Sequence, residues 1–130
     1  MPHADCVFCD RLRSGDLVAE SPLAAAFADA FPVSPGHVLI VPRRHEADFW
    51  ALRETEKAAI WELVAPVKRH IESRFSPHGY NLGMNIGEAG GQTVGHAHLH
   101  VIPRYRGDVP DPRGGVRWVL ADRARYWQAP

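Results

Sequence analysis

Cysteine is scarce in this chain: two residues, three positions apart, among 130. That scarcity excludes a small secreted scaffold stapled by disulfides, and the spacing suits a metal clip or a redox pair. Long apolar runs are missing too, since nothing approaches the roughly 20 residues a membrane-spanning helix needs, so no membrane partner is expected. Met1-Pro2-His3-Ala4-Asp5 has neither the charged start nor the apolar middle of a secretory signal, and the expected address is cytoplasmic. Net charge is also lacking: 15 basic side chains meet 15 acidic ones, leaving no positive field to hold a nucleic acid duplex. Any phosphate bound here must be gripped locally. No repeat or linker divides the sequence, so residues 1–130 read as one domain, with a cysteine-bearing segment 1–16 and a Pro- and Gly-rich tail 107–130.

What the chain does have is a core and turns. Hydrophobic side chains make up 45% of it, enough for a domain of this length to fold alone. Eleven glycines and eleven prolines argue for many turns rather than a helical bundle. Residues 16–21 and 24–29 read as short strands around the Ser21-Pro22 turn, and 37–42 as a central β-branched strand closed by Pro42. A short helix is expected over 47–52. The spacing of Ala58, Ile60, Trp61, Leu63, Val64, Val67 and Ile71 predicts one long helix over 55–75, capped by Thr55. Its apolar stripe would pack on the sheet, with His70 and His78 in solvent. A strand over 80–87 runs into the glycine-rich turn 87–91, which suits either a phosphate cradle or a tight hairpin. A short strand over 116–120 and a turn over 122–127 complete the reading.

The chain also has eight histidines, and three of them alternate in Gly95-His96-Ala97-His98-Leu99-His100-Val101. In an extended strand these imidazoles would form one row, each roughly 6.6 Å from the next, with Ala97, Leu99 and Val101 turned toward a core. Burying several imidazoles together costs desolvation and risks like-charge repulsion, so a strand built for stability alone would use Val or Ile. A neutral imidazole is a competent nucleophile, and attack on phosphorus would split one hard displacement into two easier ones. The middle histidine, His98, is the natural candidate because it alone has an imidazole on either side.

Three runs together, Cys6-Val7-Phe8-Cys9, Pro35-Gly36-His37-Val38-Leu39-Ile40-Val41-Pro42 and Gln92-Thr93-Val94-Gly95-His96-Ala97-His98-Leu99-His100-Val101-Ile102-Pro103-Arg104, resemble the histidine triad (HIT) family of nucleotide hydrolases and transferases in its zinc-bearing bacterial form. The resemblance implies an α+β, HIT-like fold: an antiparallel sheet of about five strands packed against one long and one short helix. It implies cleavage at the α-phosphate of dinucleoside polyphosphates or nucleoside phosphoramidates through a nucleotidyl-His98 intermediate, a hydrolase acting on phosphorus anhydride or phosphorus–nitrogen bonds. His100 and His37 would hold the non-bridging oxygens, and Gln92 and Thr93 would face the bridging atom or leaving group. Asn85 would contact the phosphate region and Asp29 the ribose hydroxyls, while Phe8, Phe27 and Ile40 would wall a purine base. The tail beyond residue 106 would help shape the leaving-group side. Cys6, Cys9, His45 and His96 would hold a structural zinc ion, with no catalytic metal needed. A homodimer is implied, for which Trp50, Trp61, Trp118 and Trp127 are candidate anchors.

Other readings of the same residues stay open at this stage. His96, His98 and His100 could share a catalytic zinc that activates water. The chain could bind an AMP-like nucleotide as a sensor or adaptor without turnover. A redox role for Cys6 and Cys9 is a further alternative, weakened by the absence of a strand-to-helix setting that would lower a thiol pKa.

Overall fold

The computed structural model describes residues 5–128; the outer ends of segments 1–16 and 107–130, residues 1–4 and 129–130, lie outside the described residues. Five antiparallel strands form one sheet: β1 (Ala19–Glu20), β2 (Ala24–Ala28), β3 (Val38–Pro42), β4 (Gly79–Gly83) and β5 (Leu99–Arg104), in the spatial order β1-β2-β3-β5-β4. The expected α+β class and antiparallel sheet are what the chain adopts.

Strand register sorts the side chains onto two faces. Ala26, Ile40 and Leu99 are paired across β2, β3 and β5, and all three are fully buried in the main core. Over that face lie α2 (Glu54–Glu62) and α3 (Val64–Glu72), which contribute Ile60, Leu63, Val67 and Ile71. Burying each such side chain stabilises the fold by about 1.5–3 kcal/mol. The next row, Phe27, Leu39, His100 and Gly83, is also in register across four strands, and points to the other face. There α1 (Val7–Ser14) packs Phe8 and Cys9 against Phe27, Leu39 and Val41. One face holds the helical layer, and the other is left for α1 and the histidines.

Several sequence expectations change. The single long helix is two helices, because Pro66 has no N–H to give the Glu62 carbonyl and its ring crowds that carbonyl; the chain breaks at Leu63. Thr55 is not the cap. The helix begins one residue earlier, and Glu56 reaches back to accept the Arg53 N–H at 2.8 Å. Glu56 is 1% exposed, and its carboxylate also takes two hydrogen bonds from the Arg44 guanidinium, at 2.9 and 3.0 Å. Residues 47–52 hold a 3-10 turn, Phe49–Ala51. The expected strand over 116–120 is 3-10 helix, Gly115–Leu120, followed by the short α4 (Ala121–Ala124). His78 is exposed, as expected, and its Nδ1 accepts the Arg106 N–H at 3.0 Å.

The α1 helix itself was not foreseen. Cys6 caps it by accepting the Cys9 N–H on its sulfur at 3.3 Å, a task normally given to Ser, Thr, Asp or Asn. Gly15 ends it in the left-handed conformation, φ 75°. No helix among the described residues is long and apolar enough to cross a membrane.

Candidate active site and metal corner

The three alternating histidines do not form a row. Regular pairing of β5 starts only at Leu99, so His96 and His98 lie on the approach to the strand, and His96 turns away. Its ring sits 5.2 Å from that of His45. His98 instead neighbours His100, centroids 5.1 Å apart, and Phe8, centroids 4.9 Å apart with the planes at 74°. The place of the third imidazole is taken by His37, whose ring lies 5.2 Å from His100.

His96 completes a corner with Cys6, Cys9 and His45. Its Nδ1 is 3.4 Å from the Cys6 sulfur and 3.6 Å from that of Cys9, and His45 Nδ1 is 3.4 Å from the Cys9 sulfur. A tetrahedral zinc with ordinary Zn–S and Zn–N bonds separates such donors by roughly 3.6 Å, so the spacing fits. The second test is the far side of the ring. His96 Nε2 lies 2.8 Å from the Pro42 carbonyl, which accepts only, so Nε2 carries the proton and Nδ1 is left with its lone pair toward the sulfurs; metal-bound imidazoles are oriented in this way. Burial pushes the Cys6 thiol above its usual range and His96 below its own, so a thiolate here calls for a cation beside it. The donor set fits a closed structural zinc site.

The second group faces a cavity of about 420 Å³ lined by Val7, Phe8, Arg11, Asp29, Ala30, Phe31, Leu39, Asn85, Thr93, Val94, His98 and His100. That volume lies in the range of small-molecule sites. A chain of hydrogen bonds fixes the tautomers. His98 donates Nδ1–H to the His96 carbonyl at 2.8 Å, which frees its Nε2 lone pair. The Val33 N–H donates to His37 Nδ1 at 3.1 Å, so the proton of the neutral ring is on Nε2. From there it is donated to His100 Nδ1 at 3.0 Å, with the Asp29 carboxylate 3.5 Å away. His100 is left with an Nε2–H to offer. Burial, then the nearby His98 and His37, push His100 down to about 4, and burial lowers His37 against the opposing pull of Asp29. Both rings are neutral near pH 7, and their donors are set by geometry rather than by charge.

Of the residues singled out in the sequence, His98, His100, Asp29, Asn85, Thr93 and Phe8 meet at this cavity, with His37 directly behind His100. Phe27 is fully buried under Phe8, centroids 5.5 Å apart. Ile40 lies on the opposite face, in the main core; the wall residue on β3 is Leu39, which shares the side of His37 under the two-residue strand period. Gln92 spends its side-chain amide on the Ala47 and Val94 carbonyls, at 2.8 and 3.0 Å, and accepts the Gly87 N–H. It thereby closes the 87–91 loop as a turn in which the N–H groups of Gly87, Gly90 and Gly91 are already paired, which favours the turn over the phosphate cradle. Arg11 and Leu39 were missed. A helix through Phe8 would have put Arg11 on the same side three residues on, and alternation from His37 would have found Leu39. A larger cavity of about 560 Å³ lies against the tail, between Ile102, Arg104 and Trp118, and holds no histidine.

Among the described residues, no cluster close enough to share one ion joins His96, His98 and His100. Asp29, His37 and His100 do come within 4.8 Å of one another, but His37 Nε2 carries a proton there rather than a lone pair. The three-histidine metal reading has no geometry behind it.

A model of the HIT domain matches residues 13–107. The chain belongs to the HIT family. Among its relatives, an AP-4-A phosphorylase of Mycobacterium tuberculosis is 37% identical over 98 residues, covering 75% of this chain and 50% of that protein. An asymmetrical bis(5'-nucleosyl)-tetraphosphatase of Schizosaccharomyces pombe is 40% identical over 89 residues, covering 68% and 49%. This HIT protein thus spans about half the length of those two enzymes. A zinc-bound histidine triad family protein from Mycobacterium smegmatis superposes with a TM-score of 0.71 and 28% identity, covering 90% of this chain and 91% of that one.

Proposed function

We propose that this HIT protein is a nucleotide hydrolase or nucleotidyl transferase acting at the α-phosphorus of dinucleoside polyphosphates or nucleoside phosphoramidates. The observation that carries the reading is His98, with Nδ1–H held on a backbone carbonyl and Nε2 free at the cavity. Its lone pair forms the N–P bond as the P–O or P–N bond to the leaving group breaks, the departing group taking that electron pair. Water then attacks the phosphorus, the N–P bond breaks, and the ring recovers its lone pair as a nucleoside monophosphate leaves. His100 Nε2–H donates to a non-bridging oxygen as negative charge grows there, and the His37 proton holds His100 in the tautomer that donates. Asp29 accepts from the ribose hydroxyls, Asn85 and Thr93 donate near the phosphates, and Gln92 acts by holding the 87–94 segment in place. The names of the two enzyme relatives support this class of substrate.

Cys6, Cys9, His45 and His96 hold a structural zinc ion in this reading, as the donor spacing and the zinc-bound relative support; the ion pins α1 and the His45 turn to the approach of β5. A cytoplasmic address and a homodimer complete it, the latter supported by Trp50 and Trp61, which are 66% and 50% exposed; sedimentation of the purified protein reads the oligomeric state. The central experiment offers the protein dinucleoside polyphosphates and nucleoside phosphoramidates, the adenine and the guanine compounds of each, quenches in base and maps any nucleotidyl group. A group on His98, lost in His98→Ala, supports the reading. Binding without turnover would make the protein a nucleotide sensor instead.

A further inference from the structure

The cavity contains one cation that the proposed reaction does not use. Arg11, on α1, lines it beside Val7, Phe8 and Leu39, and its guanidinium carbon sits 4.5 Å over the centre of the Phe27 ring. Phe27 is fully buried beneath it. Among the described residues the guanidinium makes no hydrogen bond and no ion pair. The one carboxylate of the cavity, Asp29, is engaged elsewhere, accepting the Phe31 N–H at 2.9 Å and facing His37. A half-buried guanidinium held against an aromatic ring is a planar fork of N–H donors without a side-chain acceptor.

Its position says which part of a ligand it would meet. Phe27, Leu39 and His100 are in register on three neighbouring strands, and two strand spacings separate Phe27 from His100 by roughly 10 Å. The ring contacts run in the same order, from His98 to Phe8 and from Phe8 to Phe27. Arg11 therefore stands at the end of the cavity away from the phosphorus, among apolar walls, with Phe31 87% exposed at the rim. A nucleotide whose phosphate is at His98 and His100 places its base there.

We infer that Arg11 reads the base, and that the nucleotide this site selects is a 6-oxopurine one, a guanine nucleotide. This rests on the nucleotide reading above. The O6 and N7 of guanine are adjacent acceptors that match the guanidinium fork, whereas adenine sets its N6 amino donor against it and pyrimidines offer no such pair. A donor enclosed by the bound base and left facing another donor is penalised, so adenine is disfavoured as well as guanine favoured.

Calorimetric titration of the full-length zinc-loaded protein with GMP, IMP and AMP tests this. IMP keeps O6 and N7 and lacks the 2-amino group, so it isolates the edge in question. GMP and IMP should both bind about tenfold or more tighter than AMP, and Arg11→Leu and Arg11→Lys should each bring the three within about twofold. The wild-type ratio needs no variant to fold. AMP binding as tightly as GMP in the wild type overturns base reading by Arg11 and leaves the nucleotide proposal standing. Equal weakening of all three in Arg11→Leu also overturns it, by assigning the guanidinium to a phosphate. Failure of all three to bind overturns the nucleotide proposal and this inference with it.

Discussion

His96 and His98 are two residues apart and are set to opposite tasks by the proton each gives away. His96 gives Nε2–H to the Pro42 carbonyl and turns Nδ1 to two sulfurs; His98 gives Nδ1–H to the His96 carbonyl and leaves Nε2 to the cavity. The proposed function thus makes the same side chain a metal ligand in one place and a nucleophile in the next. What separates them is which ring nitrogen a backbone carbonyl touches, a feature that regular spacing along the chain does not reveal.

The comparison is broken most severely by removing one ring from each region. His98→Ala should lower nucleotide turnover by about a thousandfold or more while leaving zinc content unchanged, read by steady-state kinetics and atomic absorption. His96→Ala should do the reverse at first order: zinc is lost and stability falls by about 3 kcal/mol or more, since the cysteines keep their burial and lose their cation. Thermal unfolding with and without added zinc reads that change, and retention of full zinc binding by His96→Ala would contradict the assignment of the corner.

A finer cut separates the two faces of β3. Ile40→Ala should cost about 2–5 kcal/mol of stability, as a cavity opens in the main core, with nucleotide affinity changed by less than about twofold. Leu39→Ala should weaken nucleotide binding instead, more than it lowers the urea midpoint. Equal effects on affinity would mean that both residues reach the site. This pair also marks where sequence reading slipped. Ile40 and Leu39 are equally apolar, and only the two-residue period counted from His37 tells them apart.

The rest of the sequence record divides in the same way. β3 was legible because its β-branched run closes on Pro42, the turns around β2 were marked by Ser21-Pro22 and the breakers after Asp29, and the motif residues named together largely meet together. The break at Leu63 was not legible from apolar spacing, which continues smoothly across it; the signal was Pro66, whose missing N–H acts one turn earlier. The α1 helix was hidden because its cap is a thiol. The 87–91 turn was ambiguous because glycines serve both anion cradles and hairpins, and the decision lies with Gln92, whose amide fills the loop.

The smallest expected effect is acid sensitivity in the histidine group. His100 is pushed down to about 4 by burial and by its imidazole neighbours, from 6.5 in the unfolded chain, and His37 and His96 are depressed in the same direction. Between pH 6.5 and about 4 the unfolded chain therefore binds more protons, and stability falls as pH falls. Urea midpoints should decline across that window, and the decline should be shallower in His100→Asn. A slope unaltered by that substitution would place the titration elsewhere.

Glu56 does two things with one buried carboxylate: it accepts the Arg53 N–H at the start of α2 and grips Arg44. Arg44 is the chain neighbour of His45, so one carboxylate ties the first turn of the helical layer to the loop that carries His45. Amide hydrogens in the two segments should exchange with a common protection, and fraying of that helix should loosen the proposed zinc corner at the same moment.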